Sequence, residues 1–172
     1  MRRDCVLYLL KKGVPVNILD STRSTPLDDA GFVGSIECAE ALIARGGDPS
    51  SKNENGANVL HTACSEGHAE FVEWLLKRQD IDKDAKDKFG FTPLMWALNA
   101  PVGGEACMKV LLNHGAKVDL TDNDGNTALI WACDGNKPVH VDMLLRHDAD
   151  PFLANKAGST PLSVCRLVDS FD

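Results

Sequence analysis

No apolar run in this chain approaches the ~18–20 residues that a membrane span requires. The longest near the N-terminus, CVLYLL, is about six residues, follows two arginines and is closed by Lys11-Lys12 with no small-residue cleavage site, so a secretory signal is not expected. Basic charge is also in deficit: 18 Lys and Arg face 25 Asp and Glu, for a net charge of −7. A nucleic-acid binder needs a basic face for the phosphate backbone, so that class is excluded. CxxC pairs are missing, and 172 residues suffice for a core without disulfide staples, so the six cysteines do not form a disulfide framework. Aromatic residues are scarce, at 6%, with a single tyrosine. That scarcity makes the stretch DKFGFTPLMWAL at 87–98 conspicuous, because Phe89 and Phe91 straddle a glycine where polar turn residues are usual.

What the chain does contain is repetition. Leucines at the end of Thr-Pro-like tetrapeptides stand at Leu27 (STPL), Leu60 (ANVL), Leu94 (FTPL), Leu129 (NTAL) and Leu162 (STPL), with gaps of 33, 34, 35 and 33. A second ladder runs Leu9-Leu10, Leu42-Ile43, Leu75-Leu76, Leu111-Leu112 and Leu144-Leu145, with gaps of 33, 33, 36 and 33. Two ladders locked in phase over the whole length define a tandem array.

Each unit has a physical reading. Thr25, Asn58, Thr92, Thr127 and Thr160 are suited to cap a helix, their side-chain oxygens accepting from first-turn amides. Pro26, Pro93 and Pro161 follow at the first helical position, where a missing N–H costs nothing. Gly34 and Gly67 close this short helix, and a longer amphipathic one follows, as in HAEFVEWLLKR at 68–78. Gly13, Gly46 and Gly115 come three residues after the leucine pairs, as terminating glycines do. Polar turns (NENG, DKFG, DNDG, NKAG) join the units. None of these units can bury its apolar face alone, so stacking is expected.

GANVLHTACSEGHAEFVEWLLKR at 56–78, with GFTPLMWA, GNTALIWA and GSTPL, closely resembles the ankyrin repeat, over essentially the whole chain. The resemblance implies an all-α ankyrin-repeat solenoid of helix-turn-helix units with short inter-repeat hairpin turns. One array over 1–172 is expected: a partial repeat at 1–19, repeats at 20–52, 53–86, 87–121 and 122–154, and a truncated one at 155–172. There are departures from the pattern. Arg23 stands where the turn glycine is usual, which predicts a distorted first hairpin; Gln79 and Asp148 replace terminal glycines. About two extra residues around Ala100–Gly104 lengthen one inter-helix loop, and one extra residue falls in RQDIDKDAKD. The family's histidine survives only as His61, with Asp28, Met95, Ile130 and Ser163 in its place elsewhere, so its hydrogen bonding is expected to be patchy.

Chemistry is not expected from these residues. His61, Cys64 and His68 have a metal-like spacing but no fourth ligand. The calcium-loop reading of DLTDNDGNTALIW puts Leu120 and Trp131 at the first and last loop positions, where carboxylates are needed. Cys5, Cys38 and Cys107 share one slot and Cys64 and Cys133 another, as small apolar filler would in a reducing compartment. GGEACMK at 103–109 lacks the spacing and the closing Lys-Ser/Thr of a phosphate loop. The expectation is a non-enzymatic chain without cofactor or metal.

The resemblance instead implies protein binding through a concave face lined by hairpin tips and short helices. There Phe89 and Phe91 are the expected anchors, projecting to the same side, since their counterparts in other repeats are small or polar. A competing reading folds one ring back onto Trp96 or a neighbouring hairpin. Phe32 and Val33 would extend the patch, and Glu54, Glu66, Lys88, Asn99, Asn123 and Asp134 would form a mostly acidic rim. The matching partner is a protein with an apolar centre and a basic rim, with no nucleic acid and no membrane insertion, and the chain is expected to be an intracellular monomer, cytoplasmic or nuclear. Trp74 and Trp131 are expected in the core. Leu167, Val168 and Phe171 end the chain without a following helix, which leaves open a self-contained adaptor or a piece of a longer protein. Alternative functions are a targeting or regulatory segment of a larger enzyme, or a dedicated kinase-type inhibitor.

Overall fold

The computed structural model describes residues 3–78 and 80–165; the positions of Gln79, Leu167, Val168 and Phe171 lie outside that range. The regular elements among the described residues are helices, in two alternating lengths. The short ones are α2 (Pro26–Phe32), α4 (Val59–Ser65), α6 (Pro93–Ala97), α8 (Ala128–Asp134) and α10 (Pro161–Val164). The longer ones are α1 (Arg3–Lys11), α3 (Ile36–Ile43), α5 (Ala69–Leu76), α7 (Gly104–Asn113) and α9 (Pro138–Arg146). Each of α2, α4, α6 and α8 packs on the long helix that follows it and on the short helix of the next unit, giving an inner and an outer row.

The short helices begin where the residue types dictate. Thr25, Thr92, Thr127 and Thr160 each accept a hydrogen bond from the amide three residues on, and Asn58 accepts from Leu60 and His61. Pro26, Pro93 and Pro161 sit at the helix start. Thr25 and Thr160 complete reciprocal capping boxes with Asp28 and Ser163, and Asn58 does so with His61. The absent histidine is therefore replaced functionally at the cap by Asp28 and Ser163.

The core is the two ladders seen edge-on. Leu27, Leu60, Leu94 and Leu129 are buried from the inner row, and Leu10, Leu42, Leu75, Leu111 and Leu144 from the outer. Cys38, Cys64 and Cys107 are fully buried among them and Cys133 nearly so, which is the small-filler role their register predicts. At the ends of the described ladder Leu9 and Leu162 are exposed.

Five hairpins, here called fingers, precede the short helices at 20–24, 53–57, 87–91, 122–126 and 155–159. All five are built alike. An Asp or Asn side chain (Asp20, Asn53, Asp87, Asp122, Asn155) accepts from the amides two and four residues on, at 2.8–3.1 Å. Successive fingers are stitched together by backbone bonds: Glu54 to Thr22, Lys88 to Asn55, Asn123 to Phe89 and Lys156 to Asp124, at 2.9–3.0 Å. The first finger is not distorted. Arg23 adopts φ 62° and keeps the Asp20–Ser24 and Arg23–Asp20 backbone bonds at 3.0 and 3.1 Å, so an arginine takes the left-handed conformation that glycine takes in the other four.

The loop between α6 and α7 is the one that departs from the rest. It runs over 98–103, against 66–68 and 135–137 in the neighbouring units. It lies directly on the turn at Gly67, where an added Cβ would come within 1.8 Å of the Val102 carbonyl oxygen, while a Cβ on Gly103 would meet the Gly67 oxygen at 2.3 Å. Both glycines have positive φ, so backbone meets backbone at this contact.

Candidate protein-binding surface

Two clefts meet at the third finger. The first, about 420 Å³, is walled by Phe89 and Phe91 of the finger, Met95, Trp96 and Asn99 of the α6 region, Ser65 and Glu66 at the end of α4, and Pro101 of the long loop. Through Pro101, the lengthened loop thus supplies part of the cleft wall. The second cleft, about 320 Å³, lies one unit on and shares Phe91, Met95 and Asn99, closing on Trp131, Asp134 and Lys137. The Lys137 ammonium donates to the Leu98 carbonyl oxygen and so pins its long stem along that cleft.

Phe89 and Phe91 line the same cleft but differ in what holds them. The Phe91 ring is half-buried and packs on Trp131 of the next unit, with centroids 5.5 Å apart and planes tilted by 44°. Its carbonyl oxygen meets His61 Nε2 at 3.2 Å. The Phe89 ring is 57% exposed and projects into the open cleft. One phenylalanine is the floor and the other is the free edge.

The tryptophans are fixed by the finger carboxylates. Trp96 Nε1 donates to Asp87 at 3.0 Å and Trp131 Nε1 to Asp122 at 2.9 Å, the same nine-residue spacing in both units. Trp96 also meets the His61 ring edge-on at 5.5 Å, not the Phe91 ring. Trp74 packs tilted on Phe71 and partly against the core. Trp131 touches the core too, but it doubles as cleft wall. Sequence reading passed over Met95, Trp96 and Pro101 as surface residues. The signal was present in the paired spacing: both Trp96 and Trp131 stand four residues after a capping threonine and nine after a finger aspartate.

The remaining expected residues divide. Glu66, Asn99 and Asp134 border the two clefts. Phe32 and Val33 are exposed at the end of α2, outside both clefts; the Phe32 carbonyl accepts from His68 Nε2 at 3.0 Å. Asn123 is exposed but its side chain donates to the Lys88 carbonyl at 2.8 Å, locking fingers together. Glu54 and Lys88 lie elsewhere, in a groove of about 460 Å³ between the first three fingers, with Arg23, Lys52 and Lys86. The rim is therefore not uniformly acidic. It carries Glu66 at the first cleft and Asp134 beside Lys137 at the second, and is cationic at the fingers, because lysines recur immediately before the finger residue in successive units, at positions 52 and 86.

Titration follows burial. His61 is fully buried, and desolvation pulls it down to about 4 despite the Phe91 carbonyl and Asp87 nearby, so it is neutral at physiological pH. Burial pushes the Cys64 thiol well up, with Cys107 beside it adding to the effect, and raises Cys133 to about 11, with Cys165 contributing. Such thiols are poor nucleophiles. Among the described residues no three His, Cys, Asp or Glu side chains are placed to hold a metal ion. No described helix is long and apolar enough to cross a membrane.

Comparison with known proteins agrees with the architecture. The family described as ankyrin repeats (3 copies) matches residues 30–122 and 100–168. Human inversin is 31% identical over 147 residues, which is 83% of this chain and 13% of that protein. Human SH3 and multiple ankyrin repeat domains protein 2 is 32% identical, covering 94% of this chain and 9% of the relative. The palmitoyltransferase AKR1 of Lachancea kluyveri is 29% identical over 95% of this chain and 22% of its own length. The chain thus spans only a small part of these relatives. The ankyrin repeat domain of Bcl-3 superposes with a TM-score of 0.83 at 32% identity, covering 96% of this chain and 73% of that one. Ankyrin repeats are generally protein–protein interaction modules and typically non-catalytic, although one relative is named as an enzyme. By sequence pattern, helix pairing and superposition, this chain belongs to the ankyrin-repeat family.

Proposed function

We propose that the chain is a non-enzymatic protein-interaction module that holds an apolar side chain of its partner in the cleft at Phe89 and Phe91. The single observation that carries this is the exposed Phe89 ring beside a floor already fixed by Phe91, Trp96 and their hydrogen-bonded carboxylate. Anchors of this kind, aromatic and preorganised, dominate interface energies. The cleft floor is already ordered in the folded chain, which lowers the ordering cost of binding. The partner fitting this cleft is apolar at its centre, with Glu66 and Asp134 favouring basic neighbours on it. The whole chain acts as one array, divided at the finger positions.

The test is site-directed photo-crosslinking. A photoreactive phenylalanine analogue is placed at position 89 or at position 152, where Phe152 is 84% exposed and outside both clefts. The proposal predicts a protein adduct from position 89 that position 152 does not give. Adducts of the same proteins from both positions, or none from 89, would refute it.

A second reading has one observation behind it: the chain matches only 9–22% of these relatives. On that reading the array is a targeting or regulatory segment, and any activity resides in other parts of a longer protein. It predicts that the adduct at position 89 is a segment of the same polypeptide when the longer protein is expressed.

A further inference from the structure

We propose that the groove between the first three fingers is a second docking surface, one that takes an acidic, extended segment of a partner protein. The proposal rests on the reading of the chain as a protein-binding array, but not on Phe89. The groove gathers Arg23, Lys52, Lys86 and Lys88 against Glu54 and Asp87. In a chain of net charge −7, that is a local reversal of sign. The two carboxylates do not balance the four cations, and that of Asp87 is already engaged by the Phe89 and Phe91 amides and Trp96 Nε1 at 2.8–3.0 Å.

Two of the four cations are pinned to backbone carbonyls. Lys52 Nζ donates to the Lys86 carbonyl oxygen at 2.9 Å, and Lys86 Nζ to that of Thr121 at 2.5 Å. Each ammonium is held in register along the fingers and keeps two N–H donors. The Lys88 ammonium and the Arg23 guanidinium make no hydrogen bond or ion pair with another described residue, so their charges are open to a ligand. Arg23 has the stronger case. It occupies the position where the other four fingers have glycine, at φ 62°, a conformation costly to a residue with a Cβ. The fold does not need an arginine there, and its side chain lines the groove, where a guanidinium can hold a carboxylate by two parallel N–H donors.

A peptide is favoured over a nucleic acid on charge. The overall −7 repels a long polyanion, and Glu54 puts one carboxylate inside the groove that an unbroken phosphate backbone would meet. A peptide can set a neutral residue opposite Glu54 and carboxylates opposite the four cations. Asp87 borders both this groove and the apolar cleft, so one partner segment can run from cleft to groove, apolar first and then acidic.

The test selects a random dodecapeptide library on the full-length chain, on an Arg23→Glu/Lys88→Glu variant and on Phe89→Ser. Thermal unfolding by circular dichroism is followed for all three. Expected is enrichment of Asp and Glu in peptides selected by wild type, kept by Phe89→Ser and lost with the charge-reversed variant. The best acidic peptide should bind that variant about tenfold or more weakly at low salt, a difference that shrinks as salt rises. Should the variant fail to fold, Arg23→Gly/Lys88→Gln takes its place, with the glycine that the other fingers already use. Absence of acidic enrichment, or equal enrichment on the variant, overturns the proposal. So does an oligothymidylate that competes as well as the acidic peptide, because the groove would then be an unselective polyanion site. Loss of apolar enrichment on Phe89→Ser alone bears on the cleft and leaves the groove untouched.

Discussion

His61 shows most clearly how one residue ties chemistry to stability. It is fully buried, its Nδ1 lies 2.7 Å from Asn58 Oδ1, and its Nε2 faces the Phe91 carbonyl. The unfolded chain protonates this imidazole near 6.5, the folded chain only near 4. Between those values the unfolded state binds the extra proton. The contribution is therefore fully present above pH 6.5 and is lost as pH falls toward 4. By pH 5 the loss from this residue is about 2 kcal/mol. His61→Gln should show less loss of urea midpoint between pH 7.5 and pH 5 than wild type does, while being less stable than wild type at pH 7.5. Parallel pH profiles for the two chains would contradict that account. The buried histidine was legible in sequence as a structural residue. Its link across to the next finger was not, because the acceptor is a backbone carbonyl, which any residue type supplies.

At the scale of the element, the finger is the unit to understand. Capping threonines and the helix-starting prolines were legible because their backbone demands are local. The finger aspartates were read only as part of polar turns, since the amides they accept from become visible as a set only once the chain has turned. A rule links them to the tryptophans. Asp87 and Asp122 have tryptophan nine residues on, whereas Asn53 and Asn155 have Thr62 and Val164; Asp20 has Asp29, so tryptophan occurs only with aspartate but aspartate does not require it. A carboxylate has acceptor capacity for two backbone amides and an indole N–H; an amide would turn an NH₂ toward that indole donor. Asp122→Asn should cost about 1–3 kcal/mol by leaving Trp131 Nε1 facing a donor. In Trp131→Phe the same change should cost far less, a coupling that a double-mutant cycle by urea denaturation would measure. Additive losses would mean that the indole bond is incidental. The expectation of a distorted first finger also fails at this scale, because the bonds within the finger, Asp20 to Ser24, Arg23 to Asp20 and the Asp20 carboxylate to the Thr22 and Ser24 amides, close the turn with Arg23 in the left-handed conformation.

The whole molecule is a row of such fingers stitched to a row of helix pairs. The solenoid was legible from the two phased leucine ladders, since the repeat period fixes which faces must stack. The surface was legible only in part. The Phe89 cleft draws its wall from the end of α4, a finger, α6 and an inserted loop, and no spacing in the chain announces that Pro101 and Phe89 will be neighbours. The charge division between clefts and finger groove escaped for the same reason, as it depends on which side of a hairpin each lysine takes. The two phenylalanines should separate by role. Phe91→Ser removes a ring packed on Trp131 and should lower stability by about 1–3 kcal/mol, whereas Phe89→Ser, which strips an exposed ring, should fall within about 0.5 kcal/mol of wild type. The measurement that tests the central claim most directly is quantitative capture of cellular proteins by the immobilised wild-type chain and by Phe89→Ser, with thermal unfolding of both recorded alongside. The account predicts a protein retained by wild type and depleted about tenfold or more by Phe89→Ser at an unchanged unfolding midpoint. Equal recovery of the same proteins by the two chains would contradict it and place the binding surface away from the cleft.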